Sequence, residues 1–134
     1  MTSKFSTLGV FVAVVFTVSA IHAAEHTKDS VKTIKKNLKE GKAVIVDVRE
    51  QREWNAGHLE GAKLLPLSEL QAGVDAKALA KEVPKIKIIY CHCRAGRRAL
   101  TAGDIFKELG YDVRPLRQGF GELLDLGFPE AKPE

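Results

Sequence analysis

The sequence is poor in cysteine and tryptophan. Its 134 residues include only two cysteines, Cys91 and Cys93, and one tryptophan, Trp54. Two cysteines separated by a single residue cannot supply the disulfide framework that stabilises many small secreted folds. An apolar content of 45% is ordinary for a globular protein, and the chain is long enough to bury its own core. The two thiols are therefore better explained by chemistry than by cross-linking.

A concentrated stripe of positive charge is also missing. The 21 lysines and arginines only slightly outnumber the 17 acidic residues, and the formal net charge is +4. Near the N-terminus, the polar face of a predicted helix is formed by four lysines: Lys32, Lys35, Lys36 and Lys39. A nucleic-acid-binding surface needs clustered basic residues with aromatic platforms, so we expect no nucleic-acid partner.

The sequence has no recognisable pattern of metal ligands. His58 has no second ligand at the spacing of a metal site. We expect His58 to be a hydrogen-bonded residue that supports a loop, and we expect neither a metal ion nor a cofactor.

The first two dozen residues follow the order of a secretory signal peptide. Lys4 precedes an uncharged apolar run at 8–18, and small residues follow at 19–24. The run is shorter than the about 20 residues that a transmembrane helix needs. The pattern predicts a signal peptide over residues 1–23 and a single domain over residues 24–134, with cleavage after Ala20 or Ala24 as alternatives. We expect a periplasmic or secreted protein without a stable membrane anchor after cleavage, and a retained N-terminal anchor is the alternative.

The densest set of reactive residues lies between a predicted strand at 86–90 and a predicted helix that begins near Ala99. The intervening loop contains Cys93 and, within the next five residues, three arginines. Loop amides and the positive end of a helix dipole favour negative charge, so this thiol should ionise more readily than a free one. The sequence predicts that Cys93 is a nucleophile, which requires that a small anion can reach its sulfur.

Cys91 directly follows the predicted strand at 86–90, two residues before Cys93, and would continue its alternation. Residues two apart on a strand face the same side, so Cys91 could act as a resolving thiol or form a disulfide with Cys93. The interpretation we favour is a small apolar residue buried in a central strand, because free cysteine is among the most buried residue types. His92 would then face the opposite side, and we give it no catalytic role.

Three motifs resemble those of the rhodanese-like domain family. The active-site loop of these sulfurtransferases has the pattern C-R-[AS]-G-x-R, which is matched at 93–98. Residues 47–62 match the family pattern D-V-R-x-x-x-E-[YFW]-x-x-G-H-[IL]-x-G-A. Residues 119–129 match the closing pattern G-[FM]-x-x-W-x-x-x-G-x-P, except that Leu123 stands in place of the tryptophan. The resemblance covers roughly residues 30–129.

This resemblance implies an α/β fold with a central, mostly parallel sheet of about five strands, flanked by helices on both faces. Apolar runs at 43–48, 62–67, 86–90 and 111–116 are predicted strands. Helical segments between them agree with a parallel sheet. Ser30 is the predicted cap of the first helix, and Gly41 follows its end.

The resemblance also implies a sulfurtransferase that moves a sulfane sulfur from thiosulfate or a related anionic donor to cyanide or a thiol through a Cys93 persulfide. The main-chain amides of the loop would bind the extra sulfur, and the loop residues are Arg94, Ala95, Gly96, Arg97, Arg98 and Ala99. Asp47, Arg49 and His58 would support the loops around the site. Two-domain members of the family have a cation at the position of Ala95, so thiosulfate could stand in for another physiological donor. The sequence does not predict a protein partner.

Two other functions compete with this one. Cysteine-dependent phosphatases use H-C-x5-R, in which an arginine six residues after the cysteine grips the phosphate. That position is Ala99 here, and no W-P-D stretch supplies a general acid. A phosphatase or arsenate-handling enzyme is therefore less favoured than sulfur transfer. A non-catalytic rhodanese-like binding module is the remaining alternative.

Overall fold

The centre of the fold is a parallel sheet of three strands in the order β2-β1-β3. The computed structural model describes residue 2 and residues 12–15 and 22–134. Within these residues the strands are β1 (Ala43–Asp47), β2 (Lys63–Leu64) and β3 (Ile88–His92). Six helices surround the sheet: α1 (Val31–Lys39), α2 (Gln51–Asn55), α3 (Leu67–Ala72), α4 (Ala76–Glu82), α5 (Arg97–Glu108) and α6 (Phe120–Asp125).

The expected number of about five strands is wrong for the described residues, which form three. The predicted strand at 62–67 shrinks to two residues, because Pro66 has no N–H and α3 begins directly after it. The predicted strand at 111–116 runs beside β3 and makes one isolated parallel bridge, between Val113 and Ile89. Pro115 fixes φ away from regular β values and limits the pairing there.

Helix α1 begins and ends where the sequence predicts. The Ser30 hydroxyl accepts a hydrogen bond from the Thr33 amide at 3.1 Å, which satisfies one of the free N–H groups of the first turn. Gly41, with φ of 70°, follows the end of the helix in a left-handed conformation that glycine adopts without strain. Strand β3 begins two residues later than predicted, since Lys87 closes a turn onto Pro84.

The two faces of the sheet bury two separate apolar clusters, and helices cover both. One face packs against α3, α4 and α5, and its strand residues are Val46, Ile89 and Cys91. The other face packs against α1 and α6 through Ile45 and Tyr90. Leu123, which replaces the family's usual tryptophan, is buried in the second cluster. This arrangement confirms an α/β fold with a parallel sheet between helical layers.

Most of the predicted signal peptide at 1–23 lies outside the described residues, which include only residues 2, 12–15, 22 and 23 of it. In the described ranges, no helix has the length and apolar character that crossing a membrane would require.

Candidate active site

Cys93 follows directly after β3, and its side chain faces the start of α5. The Gly96 amide donates a hydrogen bond to the Cys93 sulfur at 3.0 Å. Gly96 is the N-cap of this 12-residue helix and has φ of 90°, a conformation that disfavours any other residue. A Cβ atom at Gly96 would also lie only 2.7 Å from the Arg117 carbonyl oxygen. The glycine therefore allows a sharp turn that aims a main-chain donor at the sulfur.

The loop closes tightly around this sulfur. Only 1% of Cys93 is exposed, whereas Arg94, Ala95 and Arg97 are exposed around it. The expected open access for a small anion is therefore not present in this conformation.

The segment that leads into α6 supports the loop from behind. The Phe120 amide donates to the Cys93 carbonyl at 2.9 Å. Gly119 approaches the loop so closely that a Cβ atom there would lie 1.7 Å from the Arg94 carbonyl oxygen. Sequence reasoning missed this role of Gly119, although the glycine begins the closing motif of the family.

The arginines of the loop have different environments. Arg98 forms two hydrogen bonds with the Glu53 carboxylate, at 2.7 and 2.8 Å. These bonds lower the pKa of Glu53 to about 2, against the opposing effect of burial. Arg94 and Arg97 have no ion pair among the residues that the structure describes, and their exposure leaves them available to an anion. Sequence reasoning also missed Glu53, which is the glutamate of the 47–62 motif.

A buried ion pair lies at the end of β1. Asp47 and Arg49 are 0% and 4% exposed, and their charged atoms are 2.8 Å apart. Arg49 also donates to the Gly57 carbonyl at 2.7 Å and lies over the Phe120 ring at 4.2 Å. The pair therefore connects β1 to the turn at Gly57 and to the segment behind the loop.

His92, to which we gave no catalytic role, lies next to this ion pair. It is fully buried, and its Nε2 atom is 3.8 Å from Asp47, with no hydrogen-bond partner among the described residues. Burial lowers the pKa of His92, and the Asp47 carboxylate only partly opposes this effect. The lowered pKa favours a neutral ring at this buried position, directly before Cys93.

His58 supports the turn that follows α2. Its Nδ1 atom is 3.0 Å from the Trp54 carbonyl, and the two rings stack at 3.6 Å. The cleft of about 1020 Å³ that these rings line extends to the C-terminal residues. None of the residues 93–99 line this cleft.

Cys91 is a fully buried free thiol. Burial, with a smaller contribution from the charge of Cys93, raises the pKa of this thiol well above its ordinary value. Its sulfur donates to the Ala99 carbonyl at 3.4 Å, and Ala99 itself is buried in the first turn of α5. This environment makes Cys91 a poor nucleophile.

Comparison with known proteins identifies the domain. Residues 30–125 match the model of the rhodanese-like domain. The human thiosulfate:glutathione sulfurtransferase is 33% identical over 82 residues, which are 55% of this chain and 71% of that protein. The thiosulfate sulfurtransferase PspE of Escherichia coli is 30% identical over 87 residues, which are 65% of this chain and 77% of that protein.

Larger proteins and a solved structure show the same similarity. A probable adenylyltransferase/sulfurtransferase MoeZ of Mycobacterium tuberculosis is 32% identical over 78 residues, and the match spans 58% of this chain but only 19% of that protein. The human single-domain sulfurtransferase TSTD1 superposes with a TM-score of 0.58 at 25% identity and covers 78% of this chain and 96% of that one. The family match over residues 30–125 and the fold agree, and the chain belongs to the rhodanese-like domain family.

Proposed function

We propose that this protein is a sulfurtransferase in which Cys93 carries the transferred sulfur. The Cys93 thiolate attacks the outer, sulfane sulfur of thiosulfate or a related donor, and a new S–S bond forms. The S–S bond of the donor breaks, and sulfite leaves with the electron pair. The resulting persulfide passes its outer sulfur to cyanide or to a thiolate, which regenerates the Cys93 thiolate.

The observation that carries this proposal is the 3.0 Å hydrogen bond from the Gly96 amide to the Cys93 sulfur at the start of α5. A main-chain donor and a helix N-terminus that already face the sulfur stabilise negative charge on it. The same groups would stabilise the terminal sulfur of a persulfide, which is also anionic.

Arg94 and Arg97 are the proposed donor-binding cations. Both are exposed beside the loop and have no ion pair among the described residues, whereas Arg98 is held by Glu53. An anion attracted to this rim lies next to the loop, and because only 1% of Cys93 is exposed, the proposed reaction also requires the loop to open. The names of the human and bacterial relatives favour thiosulfate as a donor and a low-molecular-weight thiol as an acceptor.

Export is part of the same proposal. A signal peptide at 1–23, cleaved after Ala23, would place the enzyme in the periplasm or outside the cell. N-terminal sequencing of the protein recovered from a bacterial periplasm should begin at Ala24. A chain that stays in the cytoplasm with its N-terminus intact would contradict export and leave the proposed chemistry untouched.

The function is tested by measuring thiocyanate formation from thiosulfate and cyanide. Wild-type protein should turn over, and Cys93→Ser should be inactive. Cys91→Ser is the matched control, because it removes the neighbouring buried thiol, and it should retain activity. Turnover of a phosphate ester or arsenate in the absence of thiocyanate formation would instead support the competing oxyanion chemistry.

A further inference from the structure

A short segment outside the family match lies against the catalytic loop. Residues 24–29 precede the matched region, which begins at residue 30. The His26 Nε2 atom is 2.9 Å from the Gly96 carbonyl oxygen, and His26 is half-buried. A carbonyl oxygen can only accept a hydrogen bond, so Nε2 must carry the proton. The segment thus contacts the same residue whose amide donates to the Cys93 sulfur.

Hydrogen bonds anchor this segment on both sides of His26. Before it, the Ala24 amide donates to Asp104 on α5 at 2.6 Å. After it, the Thr27 amide donates to the Pro115 carbonyl at 2.8 Å. Farther along, Asp29 accepts from the Tyr90 hydroxyl at 2.6 Å and from Arg114 at 2.9 Å.

Helix α5 has a glycine where the segment crosses it. A Cβ atom at Gly103 would lie 2.9 Å from Ala24 Cβ and 2.7 Å from Pro115 Cγ. Glycine in a helix interior costs stability relative to alanine, and here its missing side chain makes room for the chain above it. We call residues 24–29 the strap.

We propose that the strap is part of the sulfur site and that His26 is a positioning residue for its main-chain donor. This inference rests on the proposed function of Cys93. Gly96 is held through two groups, its amide by the Cys93 sulfur at 3.0 Å and its carbonyl by His26 at 2.9 Å. Because glycine has the freest backbone of any residue, a tether on its carbonyl keeps its N–H aimed at the sulfur. Removal of the tether should weaken that hydrogen bond and disfavour the thiolate.

The test measures the thiolate of Cys93 directly, without any sulfur donor. For each variant, the ultraviolet thiolate absorbance at neutral pH is compared with that of the same variant carrying Cys93→Ser, which subtracts Cys91. His26→Ala should lower the ratio of thiolate to thiol about twofold to tenfold, the range expected for one lost hydrogen bond. His26→Gln retains an N–H donor at a similar reach and should restore most of the ratio.

Glu25→Gln is the matched control, because Glu25 is an exposed neighbour on the same strap, and it should behave as wild type. Equal thiolate ratios in His26→Ala and Glu25→Gln would overturn the proposal, and so would a loss that His26→Gln does not recover. Nitrogen NMR of the wild-type His26 ring gives a second test that needs no variant. A proton on Nε2 supports the contact with Gly96, and a proton on Nδ1 alone overturns it.

This design separates the inference from the proposed function. If thiosulfate yields no persulfide on wild-type Cys93, the proposed function fails, while the thiolate ratios still test the contact between His26 and Gly96. If the persulfide forms and the ratios do not respond to His26, only the inference fails.

Discussion

Gly119→Ala is the substitution that most sharply tests how the loop around Cys93 is held. A Cβ atom at this position would lie 1.7 Å from the Arg94 carbonyl oxygen and 2.5 Å from its carbonyl carbon. Real Cβ contacts shorter than 3.0 Å are essentially never observed, so the two segments must separate by about 1.3 Å, the difference between 3.0 and 1.7 Å. Both clashing atoms belong to the backbone, and no side-chain rotation can relieve them.

A shift of this size falls on the loop that positions the sulfur. Displacement of catalytic groups by about 1 Å can cost roughly 100-fold in rate. We therefore expect Gly119→Ala to lower the kcat for thiocyanate formation by about two orders of magnitude. Stopped-time thiocyanate assays give the rate, and urea unfolding shows whether the variant remains folded.

Gly121→Ala is the control for this experiment. Gly121 lies two residues away in α6, and a Cβ atom there meets nothing within 4 Å. Alanine in a helix should stabilise the protein by about 0.5–1 kcal/mol and leave activity unchanged. A Gly119→Ala variant with wild-type kcat would refute the close packing of the 119–120 segment against the loop.

Three further predictions concern the ionisable groups around the site. Arg49→Ala leaves the Asp47 carboxylate buried without its partner, so urea unfolding should show a free energy of unfolding lower by about 3–5 kcal/mol. A decrease of less than about 1 kcal/mol would contradict the buried pair. Burial lowers the pKa of His92 in the folded protein, so the unfolded chain binds a proton first as the pH falls below about 6.5, and stability should decline there. That part of the decline should be absent in His92→Gln, and an identical pH profile in both proteins would contradict the neutral buried ring. The pKa of Glu53 is lowered from 4.5 to about 2, so its pairing with Arg98 should add about 1–2 kcal/mol to the free energy of unfolding above pH 4.5, after allowance for solvent screening. This contribution should be lost as the pH falls through about 2. Acid unfolding of Glu53→Gln should lack this loss, and a profile that matches the wild type would contradict the pairing with Arg98.

Local patterns in the sequence were enough to predict most of the helices and the loop between β3 and α5. The Ser30 cap and the apolar face of α5 depend on residues within one or two helical turns. Strand β1 was readable because a strand covered on both faces is a nearly continuous apolar run. Pro66 was visible in the sequence too, and its missing N–H should have shortened the predicted strand at 62–67.

The remaining features depend on contacts between distant parts of the chain. Gly119 approaches Arg94 across 25 positions, and His26 reaches Gly96 across 70. Neither residue has a local pattern that predicts its partner. The closure of the loop over Cys93 likewise results from the packing of several elements. A sequence motif therefore does not indicate how little of the Cys93 side chain is exposed to solvent.

The central claim is that Cys93 can hold one additional sulfur atom, and intact-mass spectrometry after thiosulfate treatment tests it most directly. Wild-type protein and Cys91→Ser should each gain about 32 Da, and peptide mapping should place the added sulfur on Cys93. Cys93→Ser should gain nothing. Absence of the added mass on wild-type protein, or its presence on Cys91 alone, would contradict the account.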